Sequence, residues 1–524
     1  MQHIFIYGPP GSGKTTLGRA LAGSLGLEFC DLDSRIVKEA GKSIPEIFAA
    51  EGEAGFRRHE AEQLRQVAGA TQEMVVALGG GALLDPVCRK MAEGRGQVLV
   101  LEASLAVLQK RTAAQAGTRP LLTDADEQAA ENRLAQLLEE RREHYASFEL
   151  RLDASQDDLA AKLALAQRTL GVFRISGMGP QTTAVRIGNG LIGRLGEYVQ
   201  SFGWQGSFLV IADANTADSY GRQALESLQA AGYRVTLKTI PAGESHKSLE
   251  TVASLWSACV EAGIDRGGTI VAVGGGVVGD LSGFVAATWM RGVRWVGIPT
   301  TLLAMVDSSL GGKTAFDLPE GKNLVGAFHP PALVLADPTT LVTLPEEELR
   351  SGAAEAVKHG VISDPALFAE FEGGGEWGAD AWTVARVARA MAVKLAIIEE
   401  DPYEKGVRAA LNLGHTIGHA IELASGFGLR HGEAVAVGMV AEARLAERMG
   451  LAEEEGLSGR LVKALTALKL PVELPGGLDR KQVGEAMLLD KKTEAGRLRF
   501  ALPLRIGEVR TRVEASLEEA LGVF

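Results

Sequence analysis

A glycine-rich turn near the start of the chain is the sequence feature that most restricts what it can fold into. The apolar run His3–Tyr7 is typical of a short buried strand, and Gly8-Pro-Pro-Gly-Ser-Gly-Lys14-Thr15 follows it at once. A strand, a G-x-x-x-x-G-K-[ST] loop and a helix in this order form a P-loop, whose backbone N–H groups surround phosphates. The pattern predicts an α/β domain that binds a nucleoside triphosphate and magnesium. The predicted contacts are Gly11, Gly13, Lys14, Thr15 and Thr16.

The sequence after the P-loop offers groups that could bind a small anionic acceptor. Asp31 and Asp33 end a second strand-like run two residues apart, so one carboxylate could order the magnesium water shell and the other could accept substrate hydroxyls. Arginines in the helical stretch 52–60 could bind a carboxylate bidentately, although a solvated helix face explains them equally well. The triplet Gly79–Gly81 ends a third strand, where bare backbone allows a ligand to approach closely. The segment 117–122 could fold over the phosphates as a lid.

Taken together, these motifs resemble shikimate kinase over roughly residues 1–165. A gluconate or adenylate kinase would share the P-loop but should lack the combination of Asp-x-Asp, Phe-Arg and Gly-Gly-Gly. A catalytically silent nucleotide-binding module is the alternative from another class, and the intact P-loop and acidic pair disfavour it. The resemblance implies shikimate contacts at Asp33, Arg57, Gly80 and Arg141, a magnesium-side carboxylate at Asp31, nucleotide and lid contacts at Arg111 and Arg119, and catalytic roles for Lys14, Asp33 and Arg119.

The second half of the chain begins with alternating strand-like and helical stretches. Residues 208–215 and 233–240 are predicted strands with helical sequence between them, which favours a parallel sheet of the Rossmann type. A third predicted strand, 269–273, runs into Gly274-Gly-Gly-Val-Val-Gly-Asp280, a turn that could admit a pyrophosphate at a helix N-terminus. Glu244 and Lys247 precede it with a spacing that also fits a plain surface ion pair.

A cluster of histidines predicts a metal site further along the chain. Three of the nine histidines, His415, His419 and His431, lie within seventeen residues. The first two are four residues apart and would project from one helix face, a spacing that suits two imidazoles on one cation. Glu355 and Lys358 lie in a helix of small residues, where a buried carboxylate needs a partner such as a metal. These residues alone leave open which imidazoles bind the metal.

The ordered set of motifs in residues 175–524 resembles 3-dehydroquinate synthase. The resemblance implies NAD contacts at Asp213, Asn215, Glu244, Lys247, Gly275, Gly276, Val277, Asp280, Thr300, Thr301, Lys313 and Lys322. It implies zinc or cobalt ligands at Glu355, His415 and His431. It also implies a substrate pocket, several members of which would be catalytic, formed by Asp307, Lys313, Lys322, Asn323, Lys358, Lys394, Arg408, Asn412, His419 and Lys491 of the pair Lys491-Lys492, with Arg291 reaching in from the second subunit of a homodimer.

The two resemblances together predict a bifunctional enzyme of the shikimate pathway. One half would phosphorylate shikimate with ATP and magnesium, and the other would convert 3-deoxy-arabino-heptulosonate 7-phosphate to 3-dehydroquinate and phosphate with NAD and zinc. A glycerol-dehydrogenase-like enzyme or another sugar-phosphate cyclase would share the second fold and metal, but should lack the cationic residues Lys313, Lys322 and Arg408. The expected domains are a P-loop kinase at 1–165, a linker at 166–180, a Rossmann-like NAD-binding α/β domain at 181–340 and a mainly helical metal-binding domain at 341–524.

Composition limits the partners and the compartment. The net charge of −12 argues against nucleic-acid and anionic-membrane partners. The three cysteines are scattered, which fits a reducing cytoplasm. No basic segment followed by a long apolar run opens the sequence, and no stretch reaches about 18 uninterrupted apolar residues, so we expect a cytoplasmic protein with no membrane partner.

Overall fold

The structure is a computed structural model that describes residues 3–113, 127–176, 182–374, 377–426, 428–489 and 498–524. The chain divides into two compact units. The first comprises residues up to Arg174 together with 197–203, and the second comprises 175–196 and 204–524. Within the described residues, no helix has both the length and the apolar character needed to span a bilayer.

The first unit is a five-stranded parallel sheet with helices on both faces. Its strands lie in the order β2-β3-β1-β4-β5. They are β1 (His3–Tyr7), β2 (Glu28–Asp31), β3 (Met74–Ala77), β4 (Gly96–Glu102) and β5 (Leu150–Asp153). The helices are α1 (Lys14–Leu25), α2 (Leu32–Ala40), α3 (Ile44–Ala68), α4 (Pro86–Arg95), α5 (Leu105–Ala113), α6 (Glu127–Ala146) and α7 (Leu159–Leu170).

Two apolar layers enclose this sheet because side chains alternate along each strand. Ile4 and Ile6 of β1 pack in a layer with residues of α1 and α7. Phe5 and Tyr7 point to the opposite layer, which α3 and α4 cover. All five strands run parallel, so their carboxyl ends meet at one edge, where ligands of open α/β sheets bind.

The second unit begins with a six-strand parallel sheet in the order β7-β14-β11-β10-β8-β9. The strand β6 (Val172–Ile175) lies at the division between the units. The six strands are β7 (Thr183–Ile187), β8 (Phe208–Asp213), β9 (Val235–Ile240), β10 (Thr269–Gly274), β11 (Arg294–Pro299) and β14 (Leu333–Ala336), and β12 (Lys313–Leu318) and β13 (Gly321–Phe328) form an antiparallel hairpin. The associated helices are α9 (Arg222–Ala230), α10 (Leu249–Ala262) and α11 (Gly276–Thr288), whereas most of α8 (Leu195–Ser201) is assigned to the first unit.

The strand order of this sheet reverses between β8 and β10. The chain moves outward from β8 to β9, returns to β10, and then proceeds through β11 to β14 on the other side. Such a reversal opens a crevice beyond the carboxyl ends of the two central strands. A nucleotide site is therefore expected where β8 ends at Asp213 and β10 ends at Gly274.

The remainder of the second unit is mainly helical. Its helices are α12 (Glu346–Ser363), α13 (Pro365–Glu372), α14 (Val384–Glu400), α15 (His415–Ala424), α16 (His431–Arg448), α17 (Leu457–Ala467), α18 (Arg480–Leu489) and α19 (Leu517–Leu521), and its strands β15 (Leu498–Arg505) and β16 (Glu508–Ala515) form a hairpin. Helices α12 and α16 are buried along most of their length. The predicted fold class, a P-loop α/β domain followed by a Rossmann-like and then a helical domain, is confirmed.

Candidate active sites

The P-loop ends at the open N-terminus of α1. Gly13 precedes α1 with φ 91°, and no side chain caps the helix, so its first N–H groups are available to an anion. Lys14 Nζ donates to the carbonyl oxygens of Gly8 and Pro9, each at 2.9 Å, which holds the ammonium group over the loop. A Cβ at Gly8 would lie 2.4 Å from the Leu101 carbonyl oxygen, so only glycine allows the loop to pass this close to β4.

Two oxygen-bearing side chains meet beside Lys14 on the predicted magnesium side. Thr15 Oγ1 donates to Asp31 Oδ2 at 2.8 Å. The other oxygen of Asp31 accepts the Ser34 N–H at 3.1 Å and caps α2. The carboxylate is thereby fixed at the end of β2, and Asp33 follows in the first turn of α2. Hydroxyl and carboxylate oxygens are the ligands that Mg²⁺ prefers.

A second group of side chains surrounds the carbonyl of Gly80. That oxygen accepts hydrogen bonds from Arg141 Nη1 at 3.0 Å, from the Tyr145 hydroxyl at 2.7 Å and from the Tyr7 hydroxyl at 3.3 Å. Burial raises the pKa values of both phenols, which therefore act as neutral donors. The Gly80 turn is held from three directions, with its neighbours Gly79 and Gly81 facing the cavity.

The half-buried Arg57 and the buried Glu60 form an ion pair on α3. Arg57 Nη1 lies 2.6 Å from Glu60 Oε2, and Nη2 lies 3.0 Å from Glu53. Burial raises the pKa of Glu60 to about 7, although Arg57 opposes the shift. Burial alone would lower the pKa of Arg57, but Glu60 and Glu53 raise it. The guanidinium therefore stays charged and lies next to Gly81, ready for an anionic acceptor.

Arg111 connects the end of α5 to the loop after β5. It donates to the carbonyl oxygens of Ala154 at 3.0 Å and Ser155 at 3.2 Å and pairs with Asp157 at 2.7 Å. Predicted residues Gly11, Gly13, Lys14, Thr15, Thr16, Asp31, Asp33, Arg57, Gly80, Arg111 and Arg141 all line one cavity of about 840 Å³. The predicted lid residue Arg119 lies outside the described residues.

In the second unit, the crevice between β8 and β10 has an ordered polar loop on one side. Asp213 accepts the backbone N–H groups of Asn215 at 3.0 Å and Thr216 at 3.1 Å. Thr216 Oγ1 also donates to the Val273 carbonyl at 3.0 Å, so it joins the ends of the two strands. On the other side, no side chain caps α11 after Gly275, and a Cβ there would lie 3.1 Å from Thr301. Bare backbone and a free helix N-terminus therefore face the crevice.

Lys247 connects the nucleotide crevice to the β12–β13 hairpin. Its side chain is buried, and Nζ lies 2.6 Å from Asp280 Oδ2 and 2.6 Å from Asn323 Oδ1. Burial alone would lower the pKa of Lys247, but Asp280 raises it. Burial raises the pKa of Asp280 to about 6 against the opposing effect of Lys247. The nearby Glu244 pairs instead with Lys322, at 3.6 Å.

A buried network of acids and bases joins α12 and α14. Asp307 Oδ1 lies 2.7 Å from Lys394 Nζ and 3.8 Å from Lys358 Nζ, and Lys358 also pairs with Glu355. Burial alone would raise the pKa of Asp307, but the two lysines hold it well below its usual range. Burial lowers the pKa of Lys394, although Asp307 opposes the shift. The ring of His359 lies 3.9 Å from Asp307.

The histidine cluster meets this network at Glu355. Nε2 of His415 lies 3.6 Å from Glu355 Oε1, and Nε2 of His431 lies 3.5 Å from the same oxygen. Ligand atoms of these three residues all lie within 4.8 Å of one another. The Glu355 carboxylate is fully buried, with Oε2 paired to Lys358 and Oε1 facing both imidazoles. The exposed His419 lies beside them, 5.2 Å from His415 between ring centroids.

The Glu355 site has the electrostatics of a cation site. Lys358 and the two imidazoles hold the pKa of Glu355 well below its usual range, although burial opposes this. Burial would lower the pKa of His431, but Glu355 and Glu422 raise it to about 10. One carboxylate and two imidazoles form a donor set that suits Zn²⁺ or Co²⁺. The residues present therefore fit a divalent cation.

The third group of predicted residues lies around the loop before α15. Lys313 pairs with Glu404, whose other oxygen accepts from Asn412 Nδ2 at 3.0 Å. Arg408 is buried and donates to the Pro402 carbonyl. Glu404 thus lies between the ammonium group of Lys313 and the side-chain amide of Asn412.

Comparisons with known proteins assign both units. Family models match shikimate kinase at residues 10–169, the N-terminal part of 3-dehydroquinate synthase at 237–351 and its C-terminal part at 352–493. A 3-dehydroquinate synthase from Symbiobacterium thermophilum is 48% identical over 336 residues, which is 63% of this chain and 94% of the relative. The chain belongs to the 3-dehydroquinate synthase family. A shikimate kinase domain precedes the synthase domains, so the chain is an enzyme that combines both activities.

The synthase half is also similar to solved structures of two other synthases. A 2-deoxy-scyllo-inosose synthase complexed with carbaglucose-6-phosphate, NAD⁺ and Co²⁺ is 28% identical, with a TM-score of 0.61, covering 67% of this chain and 98% of that one. A 2-epi-5-epi-valiolone synthase from Streptomyces hygroscopicus with NAD⁺ and Zn²⁺ bound is 30% identical, with a TM-score of 0.59 and the same coverage. The 3-dehydroquinate synthase from Symbiobacterium is nearer in sequence than either of them.

The structure brings most predicted synthase residues to the crevice between the sheet and the helices. Val277 lies in the first turn of α11, and Thr300 donates its N–H to the Gly274 carbonyl at 3.0 Å. Arg291 lies apart in a short turn, with φ 69°. Lys491 and Lys492 lie outside the described residues.

Sequence reasoning missed several polar residues that support the two sites. Their partners lie far away along the chain, so no local spacing marked them. Thr216 was detectable in principle, because a threonine directly after a strand-ending Asp-x-Asn commonly closes a turn. The missed residues are Tyr7 and Glu60 in the kinase domain, and Thr216, Glu404, Glu422 and Glu442 in the synthase domains.

Proposed function

We propose that shikimate phosphorylation and 3-dehydroquinate formation occur at two separate sites, each built from residues of one unit. The observation that carries this proposal is that all the described residues predicted to contact ATP, magnesium or shikimate line one cavity of the first unit, whereas Glu355, His415 and His431 converge in the second. The corresponding domains are 1–165, 181–340 and 341–524, with 166–180 as the linker.

In the kinase site, catalysis rests on positioning and charge neutralisation. ATP with magnesium supplies the phosphoryl group, and the P-loop backbone, Lys14 and Thr15 bind its phosphates and metal, with Asp31 on the magnesium side. The Asp33 carboxylate accepts a hydrogen bond from the attacking hydroxyl of shikimate and takes up its proton. Arg57 and Arg141 bind the carboxylate of shikimate. Arg111 and Arg119 contact the nucleotide.

In the synthase site, the crevice between β8 and β10 binds NAD. Asp213, Glu244 and Lys247 contact the cofactor, and the glycines before α11 admit its pyrophosphate. The Lys247–Asp280 pair ties this cofactor site to Asn323 on the hairpin, so cofactor and substrate groups are held by one connected network. NAD, when bound, takes up and returns a hydride, and is not consumed overall.

Glu355, His415 and His431 are the proposed metal ligands. A divalent cation held there supplies Lewis acidity toward a substrate oxygen. The adjoining Asp307, Lys358 and Lys394 orient the substrate and exchange its protons. The anionic groups of 3-deoxy-arabino-heptulosonate 7-phosphate are bound by the remaining predicted pocket residues, namely Lys313, Lys322, Asn323, Arg408, Asn412, His419 and Lys491.

We further propose a homodimer formed through the synthase half, in which Arg291 enters the partner's site. Arg291 lies in a run of left-handed backbone, and Met290 beside it is 46% exposed although apolar. Phe328, at the end of the hairpin, is likewise 52% exposed. Analytical ultracentrifugation of the purified chain measures the oligomeric state.

A cytoplasmic location with no nucleic-acid partner is also proposed. Its support is the net charge of −12 and the presence of Cys30, Cys88 and Cys259 as free thiols. Cell fractionation with an antibody to the chain checks the compartment.

The two-site proposal is tested with two separate assays on one purified protein. Lys14→Ala should reduce ATP-dependent shikimate phosphorylation by about a hundredfold or more, because the ammonium group neutralises phosphate charge. The same variant should retain NAD-dependent phosphate release from the heptulosonate phosphate within about twofold, because Lys14 belongs to the other unit. Treatment with a chelator, followed by addition of magnesium, should abolish the phosphate release and leave shikimate phosphorylation unchanged. Loss of both activities in Lys14→Ala, or chelator-resistant synthase activity, would contradict the proposal.

The roles of the neighbouring histidines are separated by metal analysis. His431→Ala should lose the bound divalent cation together with synthase activity, because it removes a ligand. His419→Ala should retain the cation at wild-type stoichiometry and lose turnover, because its ring faces the substrate side. Metal content by inductively coupled plasma mass spectrometry distinguishes the two, and loss of metal in His419→Ala would show that the wrong imidazole was assigned.

A further inference from the structure

We propose that Glu422 is a positioning residue that fixes the ring of His431 for metal binding and thereby sets the metal affinity of the synthase site. The proposal rests on the ligand set proposed above. Glu422 lies on α15, seven residues after His415, and its side chain is only 11% exposed. It therefore lies behind the proposed metal site and reaches across to the first residue of α16.

The two nitrogens of His431 face two different carboxylates. Nε2 lies 3.5 Å from Glu355 Oε1, and Nδ1 lies 3.2 Å from Glu422 Oε2. An ionised carboxylate can only accept, so the hydrogen bond to Glu422 requires the proton to be on Nδ1. Nε2 is then the nitrogen that gives up its proton when a cation binds, on the side of the ring that faces Glu355 and His415. The geometry thus selects one tautomer and one ring orientation.

His415 obtains the same result from the backbone. Its Nδ1 donates to the Leu413 carbonyl oxygen at 3.1 Å, while Nε2 faces Glu355 at 3.6 Å. Both proposed imidazole ligands thus use Nδ1 for support and Nε2 for the cation. The supports differ in charge, since His415 has a neutral carbonyl and His431 a carboxylate. A hydrogen bond from Nδ1 to an anionic acceptor makes Nε2 a more basic metal ligand. Glu422 should therefore contribute more to metal affinity than the Leu413 carbonyl does.

Glu422 could alternatively be a metal ligand itself. It forms a second group with His419 and His431 whose possible ligand atoms also lie within 4.8 Å of one another. That group would have to use the Nδ1 side of His431, away from Glu355 and His415. It would also use a carboxylate that already accepts a hydrogen bond from His431, and it would leave out the fully buried Glu355, which both Nε2 atoms face. The supporting role instead gives the cation the fully buried carboxylate and both Nε2 atoms.

The test measures Co²⁺ affinity and the Co²⁺ absorption spectrum of the full chain, so it does not depend on activity. Dissociation constants are measured by competition with a chelator for wild type, Glu422→Ala, Glu422→Gln and His431→Ala. Glu347→Gln is the matched control, because it removes an exposed carboxylate that pairs with Arg430, the residue before His431, without touching the ring. A far-ultraviolet circular dichroism melt of each variant reports whether it is folded.

We expect Glu422→Ala to weaken Co²⁺ binding by about 10- to 100-fold and to change the visible bands, because the ring is free to rotate. Glu422→Gln keeps a hydrogen-bond acceptor and should lose less, about threefold to tenfold. Glu347→Gln should stay within about twofold. His431→Ala should weaken binding more than any of them.

The outcomes separate the two proposals. Wild-type affinity and spectrum in Glu422→Ala, with binding lost in His431→Ala, would overturn the positioning role and leave the ligand set standing. If Glu422→Ala loses Co²⁺ binding as completely as His431→Ala does, Glu422 is a metal ligand, and the positioning role is overturned. Unchanged binding in His431→Ala would instead contradict the proposed ligand set. If Glu422→Ala does not fold, Glu422→Gln decides the matter, because wild-type binding and spectrum in that variant would also overturn the proposal.

Discussion

Buried carboxylates beside cationic groups lie at both sites, but their charge states differ. Glu355 is surrounded by Lys358 and two imidazoles, which hold its pKa well below the usual range. Glu60 contacts one guanidinium, that of Arg57, which Glu53 shares, and burial together with the nearby Asp33 raises its pKa to about 7, although Arg57 and Arg141 oppose the shift. The number of nearby positive charges therefore decides whether a buried acid stays ionised at neutral pH.

The elevated pKa of Glu60 predicts a pH-dependent contribution to the stability of the kinase unit. The pKa of Glu60 in the folded state is above the unfolded value of 4.5. Its favourable contribution to the free energy of unfolding is therefore complete below about pH 4.5 and is lost as pH rises through 7. Glu60→Gln mimics the protonated form. We expect it to stabilise the kinase unit on the order of 2 kcal/mol at pH 8 relative to wild type, and to have little effect at pH 5.

Calorimetry at the two pH values measures this difference. All six tryptophans lie at positions 204–382, so tryptophan fluorescence does not report on the kinase domain. The kinase transition is recognised by its shift with magnesium and nucleotide. Glu53→Gln is the control, because it removes the exposed partner of the same arginine and should change stability little. Equal destabilisation of Glu60→Gln at both pH values would mean that this carboxylate does not titrate in the range.

Individual residue pairs were less predictable from sequence than the motifs that contain them. The spacing of Glu244 and Lys247 fits a local ion pair, but Lys247 pairs with Asp280 and Asn323, and Glu244 pairs with Lys322. Local spacing describes neighbours on one helix, whereas Lys247 lies between a 3₁₀ turn and α10 and turns inward. The partner of a buried charge depends on which elements pack there, which the sequence does not state.

Secondary structure was predictable wherever glycine or an apolar run imposed it. The strands β1, β8 and β10 and the turns that follow them were predicted because buried runs end at glycines or acids. The close crossing of α15 and α16 was not predicted. It depends on Gly414, Gly418 and Gly438, whose role appears only when both helices are in place.

The α15–α16 crossing holds the two proposed imidazole ligands at a fixed separation. A Cβ on Gly438 would lie 2.0 Å from the Gly414 carbonyl oxygen. Further along α16, Glu442 accepts the Gly414 N–H at 2.5 Å and so supplies the cap that α15 lacks from its own residues. Helix α16 therefore bears one ligand at its first residue and supports the helix that bears the other.

Gly438→Ala should separate these helices. We expect a loss of about 1–3 kcal/mol in the stability of the synthase unit, because backbone atoms must move, and weaker Co²⁺ binding as His415 moves away from His431. Gly459→Ala is the matched control on α17, where an added Cβ meets nothing within 4 Å, and it should stabilise by about 0.5–1 kcal/mol. Tryptophan fluorescence during denaturation and Co²⁺ titration measure both effects. Wild-type metal affinity in Gly438→Ala would show that the crossing does not set the ligand geometry.

At the scale of the whole molecule, the proposed dimer makes a quantitative prediction. The backbone of Met290, Arg291 and Gly292 is left-handed at three successive residues, with φ of 50°, 69° and 116°. Such strain is uncommon for residues with side chains and persists where the surroundings or a function require it. We proposed that it presents Arg291 to the partner, whereas Lys394 is buried within its own subunit.

Mixed dimers of two inactive variants decide whether Arg291 acts across the interface. One chain bears Arg291→Ala and the other Lys394→Met, and the two are coexpressed in equal amounts with different tags. If Arg291 enters the partner's site, each mixed dimer has one intact site and one with both substitutions, so about a quarter of all sites are active. If Arg291 serves its own subunit, every site carries a substitution and phosphate release stays at the level of the single variants. If Arg291 does enter the partner's site, purifying the mixed dimer through both tags should raise the activity to about half of wild type, because all homodimers are removed. No recovery in doubly purified dimers would place Arg291 in its own subunit.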